Sequence, residues 1–444
     1  MRRRLAVGRV VLVGALIVII LIAVVAAFYL RKPAPTPAPT TAAPGPTETQ
    51  PPKPVIEEIV IGMVEPLSGT HAIFGIEAKQ AAELVIEDIN ARGGIQSLGG
   101  AKLKLVVADS KDSIEGAKLA AEELISKHHP VVIIGAYISR HTAAMAEVTE
   151  REKVILVADA LVDFLSERGW KYFFRACPKT SIHGKTAMDF VYETAKKKGI
   201  EIETVAIINE DSVFGRYTAL GAYHEALTLG LTVVEHIEYP YDIADASPIV
   251  SKLIEANPDV VISVPYFSDG VLIATTMEEM GFKPMIVAGA GGCGYCDPDS
   301  IAAAGSAVEG FTQTYSYNPF LDTPYNKEIV QKFQERYGKL PTEAGGIIFY
   351  SLWTIKEALE LAGQMFPDDP LNPDNLRQAF LALDITSGPA AETYPSGHIK
   401  FNENGDNIYA MAVVLQVQNG EPVLVYPFEY AQAEPIFPIP GYSP

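Results

Sequence analysis

From Val55 onward, short β-branched runs alternate with stretches of helical period, and few architectures tolerate that alternation. The runs are IVIGMV, KLKLVVAD, VVIIGAY, VILVAD, YFFRAC, TVAIINE, LTVVEHIEY, VVISVPY, MIVAGA and GFTQTYSY. Most are apolar at nearly every position, as strands covered on both faces must be. Between them, Ala78, Ala82, Val85, Ile86 and Ile89 fall on one helical face, and ARGG ends that segment. GAKLAAEELISKHHP stops at Pro130, and GKTAMDFVYETAKKKG closes on lysines and Gly199, as helix C-termini prefer. Strand–helix repetition of this kind specifies βαβ units and parallel sheets. Ten strands are many for one open sheet, and the pattern restarts after RACPKTS, so two doubly wound α/β lobes are expected. A longer helical tract follows (YNKEIVQKFQERYG, GGIIFYSLWTIKEALELAG, NPDNLRQAFLAL). The chain then closes on a hairpin-like stretch turning at Asn404-Gly405 and Asn419-Gly420.

The first 54 residues are of another kind. MRRRLAVGR precedes an uncharged apolar run from Val10 to Leu30. About 20 such residues span a bilayer, and the arginines place the N-terminus in the cytoplasm, so residues 1–31 read as a membrane anchor with the remainder outside. A cleaved signal peptide is the alternative, although its apolar core is ordinarily shorter. Residues 32–54 carry a proline every few positions and favour extended polyproline II, a spacer whose threonines suit O-linked sugar. The formal charge of −19 argues against a nucleic-acid partner.

No enzyme signature emerges. The loop in IVIGMVEPLSGTHAIFG has the strand–loop–helix form that holds anions, but the lysine of a P-loop is absent from the helix opening FGIEAK. GAGGCG, residues 289–294, matches a dinucleotide fingerprint in spacing only: the following helical stretch is short and no acid ends the next strand. Cys293 and Cys296, in CGYC, have redox-motif spacing, and a structural disulfide is the expectation outside the cell. The histidines show no metal-binding spacing and three cysteines are too few for a zinc site, so no metal or cofactor is expected.

The detail resembles one family. IGMVEPLSGTHAIFGIEAKQAAELVIEDINARGGI is similar to the opening of the type I solute-binding proteins of branched-chain amino-acid and amide ABC importers. VVIIGAYISRHTAAMAEVTEREKVILV, LSERGWKYFFRACP, VAIINEDSVFGRYTALG, NPDVVISVPYFSDGVLIATTMEEMGF and AVEGFTQTYSYNP follow in that family's order, and the resemblance runs from about Ile56 to Tyr426. It implies a type I periplasmic-binding-protein fold joined by a three-strand hinge. Lobe 1 would hold residues 55–178 plus 312–403, and lobe 2 residues 179–311 plus 404–444.

The same resemblance implies a ligand in the interlobe cleft. Phe74 would form an aromatic wall, Ser139 and Thr142 would hold a carboxylate at a helix N-terminus, and Phe214 and Tyr266 would supply rings from the second lobe. Leu161 stands where a hydroxyl usually completes the carboxylate site, and Ala290 where an acid usually pairs with the ligand's ammonium. Asp159, Asp211 or Asp269 would have to replace that acid. The implied protein is a monomer that captures a small metabolite and delivers it to the permease subunits of an ABC transporter. A ligand-sensing ectodomain and an exported thiol-redox protein are the alternatives; only nine residues precede the apolar run, which favours transport over sensing.

Overall fold

All ten expected strands form, and the order in which they pair fixes where a ligand can sit. The structure is a computed structural model that describes residues 56–292 and 294–442. The anchor, the spacer and Cys293 lie outside the described residues. Among the described residues no helix is long and apolar enough to cross a membrane.

The first sheet contains β1 (Glu58–Glu65), β2 (Lys102–Asp109), β3 (Val132–Gly135), β4 (Ile155–Val157) and β5 (Phe173–Phe174), all parallel in the order β2-β1-β3-β4-β5. Helices α1 (Ala72–Ala91), α2 (Ile114–His128) and α3 (Ser139–Glu152) connect them. Ile61, Met63, Val132, Ile134, Ile155 and Val157 are buried, as the continuous apolar runs require. The strand order reverses between β1 and β3. Open α/β sheets form their crevice at the carboxyl ends of the strands flanking such a reversal.

The second sheet is larger. It contains β6 (Thr204–Glu210), β7 (Thr232–Tyr239), β8 (Val260–Val264), β9 (Ile286–Gly289), β10 (Thr312–Tyr315), β11 (Val413–Gln418) and β12 (Glu421–Tyr426). Their order is β12-β11-β10-β9-β8-β6-β7, parallel from β7 through β10 and antiparallel at the last two strands. Helices α4 (Thr180–Lys198), α5 (Val213–Thr228), α6 (Ser247–Ala256) and α7 (Phe267–Glu279) cover it. Here the reversal falls at β6 and β8, whose loops lead into α5 and α7. The α4–α5 pair packs closely at Gly184, where a Cβ would sit 2.2 Å from the Thr218 carbonyl oxygen. The β11–β12 turn has positive φ at both Asn419 (56°) and Gly420 (76°), the type I′ geometry its Asn-Gly pair predicts.

Helices α8 (Pro298–Ala304), α9 (Pro324–Tyr337) and α10 (Glu343–Met365) follow β9 and β10, and α9 and α10 return to the first lobe. There α10 packs on α1, and Arg336 and Arg92 pair across α1 and α9 with Glu87 and Glu328. The chain thus passes between the lobes three times: after β5, after β10, and before β11. The sheets divide the chain at slightly different positions from the expected 312 and 404. Thr312–Tyr315 pairs with β9, so the second lobe extends through β10. Asp406 bridges to Arg175 beside β5, and Gly405 lies against the Phe173 carbonyl, so residues near 405 stay with the first lobe.

Candidate functional site

The four loops at the two reversals face one another across the hinge. Between them lies a cavity of about 10 Å3, lined by Tyr137, Ser139, Asp159, Leu161, Phe214, Tyr266, Gly292 and Glu343. That is about the space of one water, so the lobes are closed on each other.

The first lobe's wall is built at the ends of β3 and β4. Tyr137 follows β3 with φ of 54°, a left-handed conformation that costs about 1–3 kcal/mol for a bulky residue. Its N–H donates to Asp159 Oδ1 at 2.6 Å, which holds it there. Thr142 Oγ1 accepts from the Ala136 N–H at 3.1 Å and donates to the Ile138 carbonyl at 3.3 Å, locking the same turn from behind. Ser139 opens α3 and faces the cavity. Asp159 is 1% exposed. Beside it, at the end of β1, stands Glu65, fully buried and facing the Asp159 carboxyl. Burial first, and then repulsion from Asp159, hold the Glu65 carboxyl well above its ordinary range; burial also raises Asp159. Two such groups in contact share one proton.

The second lobe contributes rings. Phe214 lies in the first turn of α5, and Tyr266 is the N-cap residue of α7; their ring centroids are 5.1 Å apart. Gly291 has φ of 82° and passes under Phe214, where a Cβ would lie 2.5 Å from the ring, so both conformation and space call for glycine. Tyr266 also meets His71 of the first lobe edge-on at 4.7 Å, and Arg140 stacks over Tyr241 at 5.1 Å. These contacts close the cleft.

Glu343 was not anticipated. It lies in the first turn of α10, is 1% exposed, and accepts the Ser316 N–H through Oε1 at 2.6 Å. Its Oε2 presses on Gly292, where a Cβ would fall 1.2 Å from it. Burial pushes this carboxyl up to about 7, against the lowering effect of Ser316 and Tyr137. The neighbouring Glu77 occupies the N–H groups of Thr342 and Gly345, so Glu343 is not needed as the cap of its own helix. The sequence carries no local signal for it, since an acid in the first turn of a helix is ordinary.

Several expected residues sit elsewhere. Phe74 is one layer back, stacked on Tyr137 at 4.9 Å, because the left-handed turn swings Tyr137 in front of it. The Thr142 hydroxyl is occupied by backbone groups, as described. Ala290 continues β9, its N–H donating to the Ser263 carbonyl at 2.8 Å, and does not line the cavity. Asp269 spends both oxygens on the Tyr266 N–H and the Tyr239 hydroxyl, and burial raises it to about 7. Asp211 is half-buried and off the cavity. Of the three aspartates, Asp159 alone lines it. In CGYC, Cys296 is a buried thiol whose Sγ lies 3.4 Å from the Leu415 carbonyl, and Cys293, its expected partner, lies outside the described residues. Cys177 is also buried, and burial pushes both thiols well up.

Comparison with known proteins bears on the fold and the family. A Leu/Ile/Val-binding protein homolog of Brucella melitensis is 31% identical over 389 residues, covering 85% of this chain and 93% of its own length. The crystal structure of a leucine binding protein, LivK, from Thermotoga maritima superposes with a TM-score of 0.72 at 24% identity, covering 84% of this chain and 99% of that one. The branched-chain amino acid transporter substrate binding protein LivJ of Streptococcus pneumoniae, solved with isoleucine, gives 0.69 at 18%, covering 83% and 100%. Residues 58–421 match the periplasmic binding protein family, and the two hinged lobes, the closed cleft and this match together make the chain a member of it.

Proposed function

We propose that this protein is the extracytoplasmic substrate-binding component of an ABC importer, capturing a small metabolite between its lobes and presenting it to the permease subunits. The observation that carries the reading is the cavity lined from both lobes at the reversal points of both sheets. A cavity of about 10 Å3 cannot admit a metabolite without the lobes parting, so binding and hinge motion are one event. The Thermotoga neighbour is a leucine binding protein and the Streptococcus one was solved with isoleucine, which supports an amino acid or a compound of similar size as ligand.

Screening a metabolite library by thermal shift tests the capture reading. A true ligand raises the unfolding temperature by mass action, about 2.7 kcal/mol at a hundredfold excess over its Kd. Tyr266 and Phe214 form the second lobe's face, so Tyr266→Ala and Phe214→Ala should each weaken that ligand by about 1–3 kcal/mol. Wild-type affinity in both variants, measured by calorimetry, would remove this cavity as the site.

The Val10–Leu30 run supports a retained anchor, with residues 32–54 as the spacer that holds a monomeric binding domain off the membrane. Fractionation and N-terminal sequencing decide it. The expected result is an intact N-terminus in the membrane fraction; a soluble protein beginning after Leu30 would overturn the anchor.

A further inference from the structure

The cavity holds acids and rings and, among the described residues that line it, no basic side chain. Asp159 and Glu343 face it from the first lobe, with Tyr137 on the same side and Phe214 and Tyr266 opposite. Each carboxylate accepts one backbone N–H, and no cation reaches the second oxygen of either: Asp159 Oδ2 has only the Glu65 carboxyl beside it and Glu343 Oε2 only the Tyr137 side chain, both on residues 1% exposed. Glu65 stands behind Asp159, and the proton the two share leaves that pair with one negative charge. The nearby bases do not compensate. Arg140 is engaged over Tyr241, His71 Nδ1 is bonded to Asp112 at 2.8 Å, and burial lowers His141 to about 4 and His183 to about 3, which keeps both neutral.

Resting on the capture reading above, we infer that the ligand is a small organic cation, carrying at least one more protonated nitrogen than carboxylate. Its positive nitrogen sits between Asp159 and Glu343, faced by the rings of Tyr137, Phe214 and Tyr266. A buried carboxylate without a counter-charge is costly, and a cation that donates to both carboxylates removes that cost on binding. The rings add attraction, since a cation over an aromatic face gains energy most when desolvated. They also favour an organic cation over a metal ion; no group of three or more metal-ligating side chains occurs among the described residues. The N-terminus of α3, with Ser139, offers N–H groups for a carbonyl or single carboxylate at the ligand's other end. A simple zwitterion would leave the surplus acid uncompensated, and an anion would be repelled.

Size-matched probes test the charge. Calorimetry on the full chain in detergent, freed of co-purified ligand by unfolding and refolding, should show arginine and agmatine binding and citrulline at least tenfold weaker than arginine. Lysine should likewise exceed norleucine, and benzoate should not bind. Glu343→Gln keeps the acceptor for the Ser316 N–H but loses the charge, so it should weaken arginine at least tenfold and leave citrulline unchanged. Asp159→Asn should do the same, which guards against a local effect of one variant. Leucine, isoleucine, citrulline or benzoate binding as tightly as the cations would overturn the charge inference and leave capture intact. Cations that fail to bind while a neutral or acidic library compound does would overturn it equally. A folded protein that binds nothing in the library would remove both readings.

Discussion

Arg175→Met should lose about 3–5 kcal/mol of stability in chemical denaturation, the cost of breaking a buried ion pair by removing one partner. Arg175 is fully buried just past β5, where the chain first leaves the first lobe. Its Nε and Nη2 donate to Asp406 Oδ1 at 3.1 and 2.7 Å, Nη2 also to Ser166 Oγ at 3.0 Å, and Nη1 to the Val162 carbonyl at 2.7 Å. Methionine fills the volume of the stem and supplies none of these donors, so Asp406 keeps only Lys179, at 3.8 Å, and the Val162 carbonyl loses its donor. Arg175→Lys should recover only part of the loss, because one ammonium cannot reach partners arranged for a planar fork. The effect should extend to binding. Val162 and Ala160 flank Leu161, which lines the cavity, and Asp406 precedes the last crossing into β11. A loss below about 1 kcal/mol would show that Arg175 is not the tie between the first and third crossings.

Arg175 sits in the RACP segment, and its neighbourhood shows why some of this molecule was readable from sequence. Buried parallel strands are written as apolar runs, so TVAIINE fixes β6 residue for residue, and the Asn-Gly pair at 419–420 fixes its turn. Loops that begin helices after strands locate the cleft, because their place follows from strand order. What was hidden depends on contacts distant in sequence. Glu343 meets Gly292 across 51 positions, and nothing around TEAGG signals that its carboxylate leaves its own helix for the cleft. Glu77, which takes over the capping of α10, is more distant still. Tyr137 stands in front of Phe74 for a local reason: a left-handed tyrosine is uncommon, and no residue type announces it. Ala290 was read as a gap in the ammonium site, whereas its backbone is part of the β8–β9 pairing.

The ligand-free protein should be less stable at pH 8 than at pH 5, and Glu343→Gln should remove part of that slope. Burial holds the Glu343 carboxyl at about 7, above an ordinary value of 4.5. A carboxyl raised on folding binds a proton in the native state that the unfolded chain releases. Its contribution is therefore fully present below about pH 4.5 and is lost as pH rises through 7. Above that, the buried charge costs the native state about 3 kcal/mol. Asp269, also raised to about 7 by burial, has the same sign and persists in the variant. His141 and His183 act oppositely, since their lowered values make stability fall below pH 6.5, but they contribute alike to both proteins and cancel in the comparison. Glutamine keeps the Ser316 bond and carries no charge at any pH. Urea denaturation should thus find the variant within about 1 kcal/mol of wild type at pH 5, and up to about 3 kcal/mol more stable at pH 8. A variant less stable at both pH values would mean that Glu343 is a structural residue with an unseen partner. The expected opposition, a gain in stability with a loss of cation binding, is what a carboxylate kept for a ligand predicts, because its charge is useful only when something enters the cleft to meet it.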